Sequence, residues 1–202
     1  MLSVNQLCCA RGPRELFRDL SFAADAGDLI RVTGPNGSGK TTLLRALAGL
    51  TRPESGTIHW QGATSDLASS RAYLGHAAGW KDTLSVTENL NLSWRLDAEA
   101  AADEDGAVAA ALEQVGLARQ HALPIARLSQ GQKKRLHLAR LTRSSRPLWL
   151  LDEPSAALDD EGTGVLTTLV ARHLAQGGIA AIATHQPLAI AAARTHDVAL
   201  RG

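Results

Sequence analysis

One stretch of the chain has the residue types and the spacing of a phosphate-binding loop. Two glycines frame it, and a lysine followed by a threonine closes it. Glycines let the backbone curl so that amide groups converge on phosphate oxygens, while the lysine reaches the β- and γ-phosphates and the threonine hydroxyl binds Mg²⁺. The residues predicted to bind a nucleotide are Gly34, Pro35, Asn36, Gly37, Ser38, Gly39, Lys40, Thr41 and Thr42.

Two adjacent carboxylates follow an apolar run later in the chain, as Asp152 and Glu153 after residues 148–151. A buried strand would deliver both to one edge of a sheet. There Asp152, together with Thr41, can hold Mg²⁺, and Glu153 can take the proton of an attacking water. Combined with Lys40 and the phosphate loop, this pair predicts hydrolysis of a nucleoside triphosphate.

The elements that must position these residues alternate between strand and helix patterns. A strand at 28–33 leads into the loop, and a helix with apolar residues at helical spacing runs from Lys40 and ends at Gly49. Other apolar runs predict strands and other amphipathic runs predict helices, and a helical stretch is expected after each of the last two strands. The further predicted strands are 57–60, 72–75, 148–151 and 179–183, and the further helices are 88–96 and 103–115. Continuously apolar strands separated by helices predict an α/β fold with a largely parallel sheet that is covered on both faces.

Composition bounds the class of protein. The 202 residues are 45% hydrophobic and 20% charged, with a formal net charge of +1, which favours a single folded domain and gives no overall field for nucleic acid or anionic lipid. No run of roughly 20 apolar residues predicts a membrane span, and the N-terminal residues do not resemble a secretory signal. Cys8 and Cys9 are adjacent and suit a reducing compartment, so we expect a cytoplasmic location.

A third motif, Leu128, Ser129, Gln130, Gly131 and Gln132, connects these observations to a family. Together with the phosphate loop and the carboxylate pair, it resembles the signature of the ABC-transporter nucleotide-binding domain. The resemblance extends over nearly the whole chain and implies ATP and Mg²⁺ as ligands. It implies a P-loop NTPase core of the RecA-like type with an N-terminal antiparallel β part. The expected organisation is one ABC ATP-binding domain over residues 1–202, with a helical subdomain at about 84–128 inserted in the core.

Two more segments match the family in its order along the chain. The first resembles the D-loop and consists of Ser155, Ala156, Ala157, Leu158 and Asp159. His185, directly after a predicted strand, resembles the switch histidine that senses the γ-phosphate. The resemblance thus adds His185 to Lys40 and Glu153 as catalytic residues.

Three positions depart from the usual family pattern. Gln130 stands where the signature usually has glycine, and its side chain could crowd the nucleotide. Arg11 lies where an aromatic residue usually stacks on adenine, and its planar guanidinium is expected to take that place. His76 occupies the position of the Q-loop glutamine.

The segment around His76 is similar to the cytochrome c biogenesis branch of the family, the CcmA ATPases. This resemblance implies a peripheral ATPase on the cytoplasmic side of a bacterial inner membrane. It would act with a CcmB-like membrane subunit and with CcmC-like and CcmD-like proteins in haem export, or in the release of a haem chaperone, during c-type cytochrome maturation. Direct haem binding and nucleic-acid binding are not expected.

The site of one chain is expected to be incomplete. The resemblance implies a head-to-tail pair of identical chains in which residues 34–42 of one copy face the signature residues 129–132 of the other. ATP would bridge the two copies, and hydrolysis would remove the bridge.

Two other functions compete with this one. A transporter ATPase for a different cargo would share every motif except the His76 segment. A soluble ABC protein acting on ribosomes or nucleic acid could use the basic run after the signature, but such proteins commonly contain two nucleotide domains or a long coiled coil. The basic run consists of Lys133, Lys134, Arg135, Arg140, Arg143 and Arg146, and a solvated helix face with contacts to the partner chain is the expected role for it.

Overall fold

The computed structural model describes residues 1–61, 70–97 and 106–201. These contain eight strands and five α-helices, with short 3-10 turns in addition. The strands are β1 (Leu2–Arg11), β2 (Arg14–Ala24), β3 (Leu29–Thr33), β4 (Ser55–Trp60), β5 (Arg71–Leu74), β6 (Leu148–Asp152), β7 (Ile179–Ala183) and β8 (Thr195–Ala199). The helices are α1 (Lys40–Leu47), α2 (Val86–Leu96), α3 (Ala107–Gln114), α4 (Gln130–Ala139) and α5 (Asp160–Ala175).

The strands form two sheets. An antiparallel sheet has the order β2-β1-β4, and a parallel sheet has the order β5-β6-β7-β3-β8. Every residue of β6 and β7 is buried, as expected for central strands that are covered on both faces. The expected α/β class with a largely parallel sheet and an N-terminal antiparallel part is confirmed.

Helix α1 covers one face of the parallel sheet. Its Leu43, Leu44 and Leu47 are fully buried in a cluster with Ile30 and Val32 of β3. The same cluster includes residues of β1 and β2, so the two sheets and α1 share one core. This packing holds the N-terminus of α1 at the end of β3, where the phosphate loop lies.

The chain divides into two compact units. The first contains residues 1–76, 146–154 and 170–202, and the second contains residues 77–145 and 155–169. Both sheets and α1 belong to the first unit. Helices α2, α3 and α4 belong to the second, where Leu90 of α2, Leu112 of α3 and Leu136 of α4 are fully buried.

The helix expected after the strand at 179–183 is absent, and this prediction was wrong. Residues 184–194 contain no helix and lead directly into β8, which the sequence pattern did not predict. The side-chain hydroxyl of Thr184 accepts a hydrogen bond from the Gln186 backbone (3.1 Å) and donates one to the Gln186 carbonyl. Pro187 has no amide hydrogen and disfavours a helical conformation at Gln186, so no helix runs from β7 through Gln186.

The remaining predicted elements are present with small shifts. The helix expected at 88–96 begins two residues earlier, because Ser85 caps it through a capping box with Glu88. Residues 103–105 of the helix expected at 103–115 lie outside the described residues, and α3 covers Ala107–Gln114. No helix in the described part of the chain is long and apolar enough to cross a membrane.

Candidate nucleotide site

The phosphate loop runs from the end of β3 to the start of α1, as the sequence predicts. Gly34 has φ 145°, and a Cβ at this position would lie 2.5 Å from the Leu200 carbonyl oxygen and 2.7 Å from Ser38 Oγ. Only glycine fits so close an approach. The amides of Lys40, Thr41 and Thr42 open α1 and have no acceptor one turn earlier in the helix, so this end of α1 suits an anion.

Lys40 lies over the loop with its ammonium group enclosed by acceptors. Its Nζ donates to the carbonyls of Gly34 (2.9 Å) and Pro35 (3.2 Å) and lies 3.0 Å from Nε2 of His185. The residue is 7% exposed. A buried cation that donates to two neutral carbonyls is well placed to exchange them for phosphate oxygens, because a hydrogen bond between two charged groups is stronger.

Thr41 and Asp152 meet at the edge of the sheet although 111 positions separate them in the chain. Thr41 Oγ1 donates to Asp152 Oδ2 at 2.8 Å, and Asp152 is 3% exposed. A hydroxyl and a carboxylate oxygen in contact are the hard oxygen donors that Mg²⁺ prefers, so the two residues fit the predicted metal site. Burial, and to a lesser extent the Asp152 carboxylate, raises the pKa of the Tyr73 phenol.

Glu153 and His185 also come together. Oε1 of Glu153 lies 3.2 Å from His185 Nε2, the same ring nitrogen that lies 3.0 Å from Lys40 Nζ. A single imidazole nitrogen cannot both accept from the lysine and donate to the carboxylate, so His185 contacts one of them by hydrogen bond at a time. Glu153 has φ 47°, an uncommon value for a residue other than glycine, and its amide donates to the Ala183 carbonyl at 2.9 Å.

The parallel sheet explains why these five side chains converge. Strands β6, β7 and β3 are neighbours, and Asp152 pairs with Ala183, which in turn pairs with Val32. The carboxyl ends of all three strands therefore reach the same edge. The structure brings together Lys40, Thr41, Asp152, Glu153 and His185, all within the first unit.

Two other predicted residues lie near strand ends of the first unit. His76 follows β5, which pairs with β6 up to Leu74 and Leu151, so the residue is at the same edge of the sheet as Asp152, and it is exposed. Arg11 ends β1 at an exposed hairpin opposite Arg14. Its stacking on adenine stays a prediction.

The signature segment forms the start of α4 in the second unit. Ser129 is the N-cap: its hydroxyl accepts from the Gln132 amide at 3.1 Å, and the Gln132 side chain accepts from the Ser129 amide at 2.9 Å. Leu128 is buried, whereas Ser129 and Gln130 are exposed. This capping box leaves the helix N-terminus at the surface with its geometry set by its own side chains.

Packing of the signature segment against the D-loop restricts the size of the residue at position 131. A Cβ on Gly131 would lie 3.0 Å from the carbonyl oxygen of Ala157, which has φ 65°. Gln130, by contrast, is exposed. Within one chain, the packing constraint therefore falls on position 131 and not on position 130.

The basic run after the signature differs from the solvated face that the sequence suggested. Arg135 pairs with Asp159 (3.4 Å) and Glu161 (3.1 Å), and its side chain is only 13% exposed. Arg140 pairs with Asp97 at 3.2 Å. The prediction of a solvated face was wrong for these arginines, because acidic residues distant in the chain pack against them.

Two of the further cations also have partners. The Arg143 guanidinium lies 5.2 Å from the centre of the Trp94 ring, and Arg146 donates to the Arg71 carbonyl at 2.7 Å.

The sequence analysis gave no structural role to Asn89. Its side chain is buried and bonds to the backbone at four points, accepting from Lys81 and donating to the carbonyls of Lys81, Leu84 and Ser85. These bonds organise the turn that precedes α2. The sequence did offer a signal, because Asn89 is a polar residue on the apolar side of α2. A buried amide needs hydrogen-bond partners nearby, so this position indicates a structural role.

Comparison with known proteins agrees with this geometry. A family model described as ABC transporter matches residues 17–156. The chain belongs to the ABC transporter family. The matched region includes the phosphate loop, the signature and the carboxylate pair.

Among curated proteins the chain is similar to relatives named CcmA. It is 45% identical over 208 residues to "Cytochrome c biogenesis ATP-binding export protein CcmA 1" of Salmonella paratyphi A, with 100% of this chain and 98% of the relative covered. It is 48% identical over 193 residues to the CcmA protein of Rhodopseudomonas palustris, with 95% of this chain and 94% of the relative covered. The expected resemblance to CcmA is confirmed.

Solved structures agree on the fold. A putative ABC transporter ATP-binding protein from Pyrococcus furiosus superposes with a TM-score of 0.82 at 22% identity, covering 98% of this chain and 96% of that chain. The ATP-binding cassette MJ0796, described as a dimer in a post-hydrolysis state bound to ADP and Pi, superposes with a TM-score of 0.78 at 20% identity, covering 92% of this chain and 88% of that chain. At these identities the likeness establishes the ABC ATPase fold.

Proposed function

We propose that this chain is the ATP-binding and ATP-hydrolysing subunit of a haem-exporting membrane complex in c-type cytochrome maturation. The observation that carries the ATPase part is the convergence of Lys40, Thr41, Asp152, Glu153 and His185 at one edge of the sheet. The similarity to curated CcmA proteins over nearly the full length supports the cargo assignment. The release of a haem chaperone is the alternative use of the same hydrolysis.

The phosphate loop would hold the triphosphate of ATP. Lys40 would exchange its carbonyl acceptors for β- and γ-phosphate oxygens, and the opening amides of α1 would take further oxygens. Thr41 and Asp152 would hold Mg²⁺, which supplies charge neutralisation when bound. Arg11 would stack on the adenine ring.

Hydrolysis would use Glu153 and His185. The Glu153 carboxylate accepts a proton from water, the water oxygen forms a bond to the γ-phosphorus, and the bond from phosphorus to the β–γ bridging oxygen breaks to leave ADP and phosphate. Phosphate oxygens would replace His185 Nε2 as the acceptor of the Lys40 ammonium group. Nε2 would then be able to bear a hydrogen and to donate it in a hydrogen bond to a γ-phosphate oxygen. Positioning and charge stabilisation account for most of the catalysis in this reaction class.

A second copy of the chain would complete the site. We assign the signature residues 128–132 and the D-loop residues 155–159 to the nucleotide of the partner copy, with two ATP molecules between two chains. The dimer described for the cassette MJ0796 supports this arrangement. The membrane partners would be CcmB-like, CcmC-like and CcmD-like proteins on the cytoplasmic side of the inner membrane, and His76 would lie on the route to them.

A nucleic-acid function has less support than the transporter function. Arg135 and Arg140 are held in ion pairs, Arg143 packs on Trp94, and Arg146 bonds to a backbone carbonyl. Cations engaged in this way are poorly available for phosphate backbones. In this proposal these four arginines therefore serve the internal structure of the protein.

The test combines purification with one substitution. Lys40→Ala removes the main fixed cation of the phosphate site, so we expect ATP affinity to fall about 10- to 100-fold and cells that depend on this copy to lose mature c-type cytochromes. Isothermal titration and haem staining of cytochromes measure the two effects. Arg45→Ala, which removes a cation from an exposed position of the same helix, is the matched control.

Purification from membranes tests the partners. Recovery of the chain with CcmB-like and CcmC-like proteins supports the proposal. Normal cytochrome c in cells whose only copy is an inactive Lys40→Ala protein would break the link to maturation, and a ribosome-bound pool would favour the soluble alternative.

A further inference from the structure

Arg135 lies at a junction of three segments in the second unit. It belongs to α4, five positions after the start of the helix that the signature opens. Its Nη2 lies 3.4 Å from Asp159 at the end of the D-loop, and its Nη1 lies 3.1 Å from Glu161 in the first turn of α5. The guanidinium also packs beside Gly116, where a Cβ would lie 3.0 Å from Nη1. One side chain thus connects the signature helix to the D-loop.

The D-loop itself contains a hydrogen-bonded turn and a left-handed residue. Its first turn is closed by a hydrogen bond from the Leu158 amide to the Ser155 carbonyl at 3.1 Å, and Ala157 has φ 65°. A left-handed alanine is less favourable than glycine and persists only when its surroundings hold it. Ala157 and Asp159 connect the D-loop to α4, Ala157 through its close approach to Gly131 and Asp159 through its ion pair with Arg135.

The two carboxylate oxygens of Asp159 have different partners. Oδ1 accepts a hydrogen bond from the Gly162 amide at 2.8 Å and caps α5, while Oδ2 faces Arg135. Close packing reinforces this arrangement, because a Cβ on Gly162 would lie 3.4 Å from Arg135 Cγ. The direction of α5 at its start and the position of α4 are therefore coupled through one guanidinium.

We propose that Arg135 is a positioning residue that holds the D-loop and the signature helix as one body, so that both meet the second copy of the chain in register. This inference rests on the proposed function, since it requires the signature to act on the nucleotide of the partner copy. In this proposal Arg135 is assigned no contact with phosphate and no part in a bond change. Its contribution is geometric, and a misplacement of about 1 Å can cost up to about 100-fold in rate.

The test uses the full chain with Glu153→Gln, in which ATP is expected to trap the dimer. Arg135→Ala in this background is expected to reduce the ATP-dependent dimer about tenfold or more, with ATP affinity of the single chain unchanged. In the chain with native Glu153, the same substitution is expected to lower kcat while the ATP concentration for half-maximal rate stays the same. Lys133→Ala, which removes a cation from the same helix, is the matched control.

Further variants test the same contacts from the acidic side and by charge reversal. Asp159→Asn with Glu161→Gln removes both negative charges but retains an acceptor for the Gly162 amide, so the cap of α5 is preserved. We expect the same loss of dimer from this pair. Arg135→Glu with Glu161→Arg reverses one ion pair, and we expect it to recover part of the dimer that Arg135→Glu alone loses.

The outcomes separate the two proposals. If Glu153→Gln with Arg135 intact forms no ATP-dependent dimer, the shared site of the proposed function fails. If that dimer forms and survives both Arg135→Ala and the Asp159→Asn, Glu161→Gln pair, the positioning role alone is overturned. Loss of ATP binding in Arg135→Ala, or equal loss of dimer in Lys133→Ala, would also overturn it.

Discussion

The nucleotide site and the signature segment use their residues in opposite ways. In the first unit, Lys40, Glu153 and His185 direct polar groups at one another, so the atoms that can react are side-chain atoms. In the signature segment, the side chains of Ser129 and Gln132 bond to their own helix, and none of residues 128–132 is titratable. We infer that the first region contributes chemistry and that the second contributes the placement of backbone groups. Side-chain changes should therefore damage the first region, and changes in backbone packing should damage the second.

The largest effect is expected from Glu153→Gln. The amide keeps the shape of the carboxylate but cannot take a proton from water, so steady-state ATP hydrolysis should fall by about 100-fold or more while ATP binding is kept. Phosphate release measures the first quantity, and equilibrium binding measures the second. Near-normal turnover would reject Glu153 as the base and would weaken the contrast between the two regions.

A smaller effect is expected from Gly131→Ala in the signature. The added Cβ would lie 3.0 Å from the Ala157 carbonyl oxygen, so the D-loop or α4 must shift, and we expect ATP hydrolysis to fall about tenfold. Gln130→Ala is the matched control at an exposed neighbour and should stay near the normal rate. Equal losses in both variants would mean that the backbone contact is not the deciding feature of this segment.

Acid should destabilise the region of α4 through His137. This residue is 3% exposed and packs edge-on against Trp80, and burial, with Arg140 and Lys134 nearby, lowers its pKa from 6.5 to about 3. The unfolded chain therefore takes up a proton below pH 6.5 that the folded chain does not, and stability falls as pH decreases toward 3. The free energy of unfolding should decrease by about 1.4 kcal/mol per pH unit in this window.

Urea unfolding at pH 7 and at lower pH measures this dependence. His137→Phe keeps an aromatic ring beside Trp80 and cannot titrate, so its stability should depend less on pH than that of the native chain. His173, which is stacked on Trp149 and whose pKa is also lowered, chiefly by burial, is present in both proteins and cancels in the difference. Parallel pH profiles would show that His137 is not the source.

The smallest effect on hydrolysis is expected from His76→Ala. The residue lies at the sheet edge but is exposed, so we expect it to act in coupling to the membrane partner and not in the chemical step. Basal ATP hydrolysis of the isolated subunit should stay within several-fold of normal, whereas cytochrome c maturation should fall strongly. His76→Gln, which restores the usual family residue, is the informative companion variant. If cytochrome c maturation is unchanged in His76→Ala, the coupling role is wrong and His76 is only a characteristic residue of this family branch.

Local patterns were enough to predict much of the fold. The phosphate loop could be recognised because its strand, glycines and helix are consecutive in the chain, and β6 and β7 could be recognised because buried strands are continuously apolar. β8 escaped prediction because its first three residues, Thr195, His196 and Asp197, are all polar, so the segment shows neither a continuous apolar run nor an alternation. It becomes a strand only by pairing with β3. The helix expected between β7 and β8 is absent, because an irregular segment begins with Thr184 and Pro187.

By itself, the sequence was enough to predict the candidate residues for the chemistry and to give their order, because motif residues such as Lys40 and Thr41 are placed by local backbone geometry. Only the tertiary structure decided which of them touch. Thr41 meets Asp152 over 111 positions and Lys40 meets His185 over 145, because neighbouring parallel strands bring their carboxyl ends to one edge. Tertiary contacts also explain why the solvated position predicted for Arg135 was wrong. The acidic residues that pair with Arg135 lie 24 or more positions away in the chain, so no local sequence pattern could predict the contact.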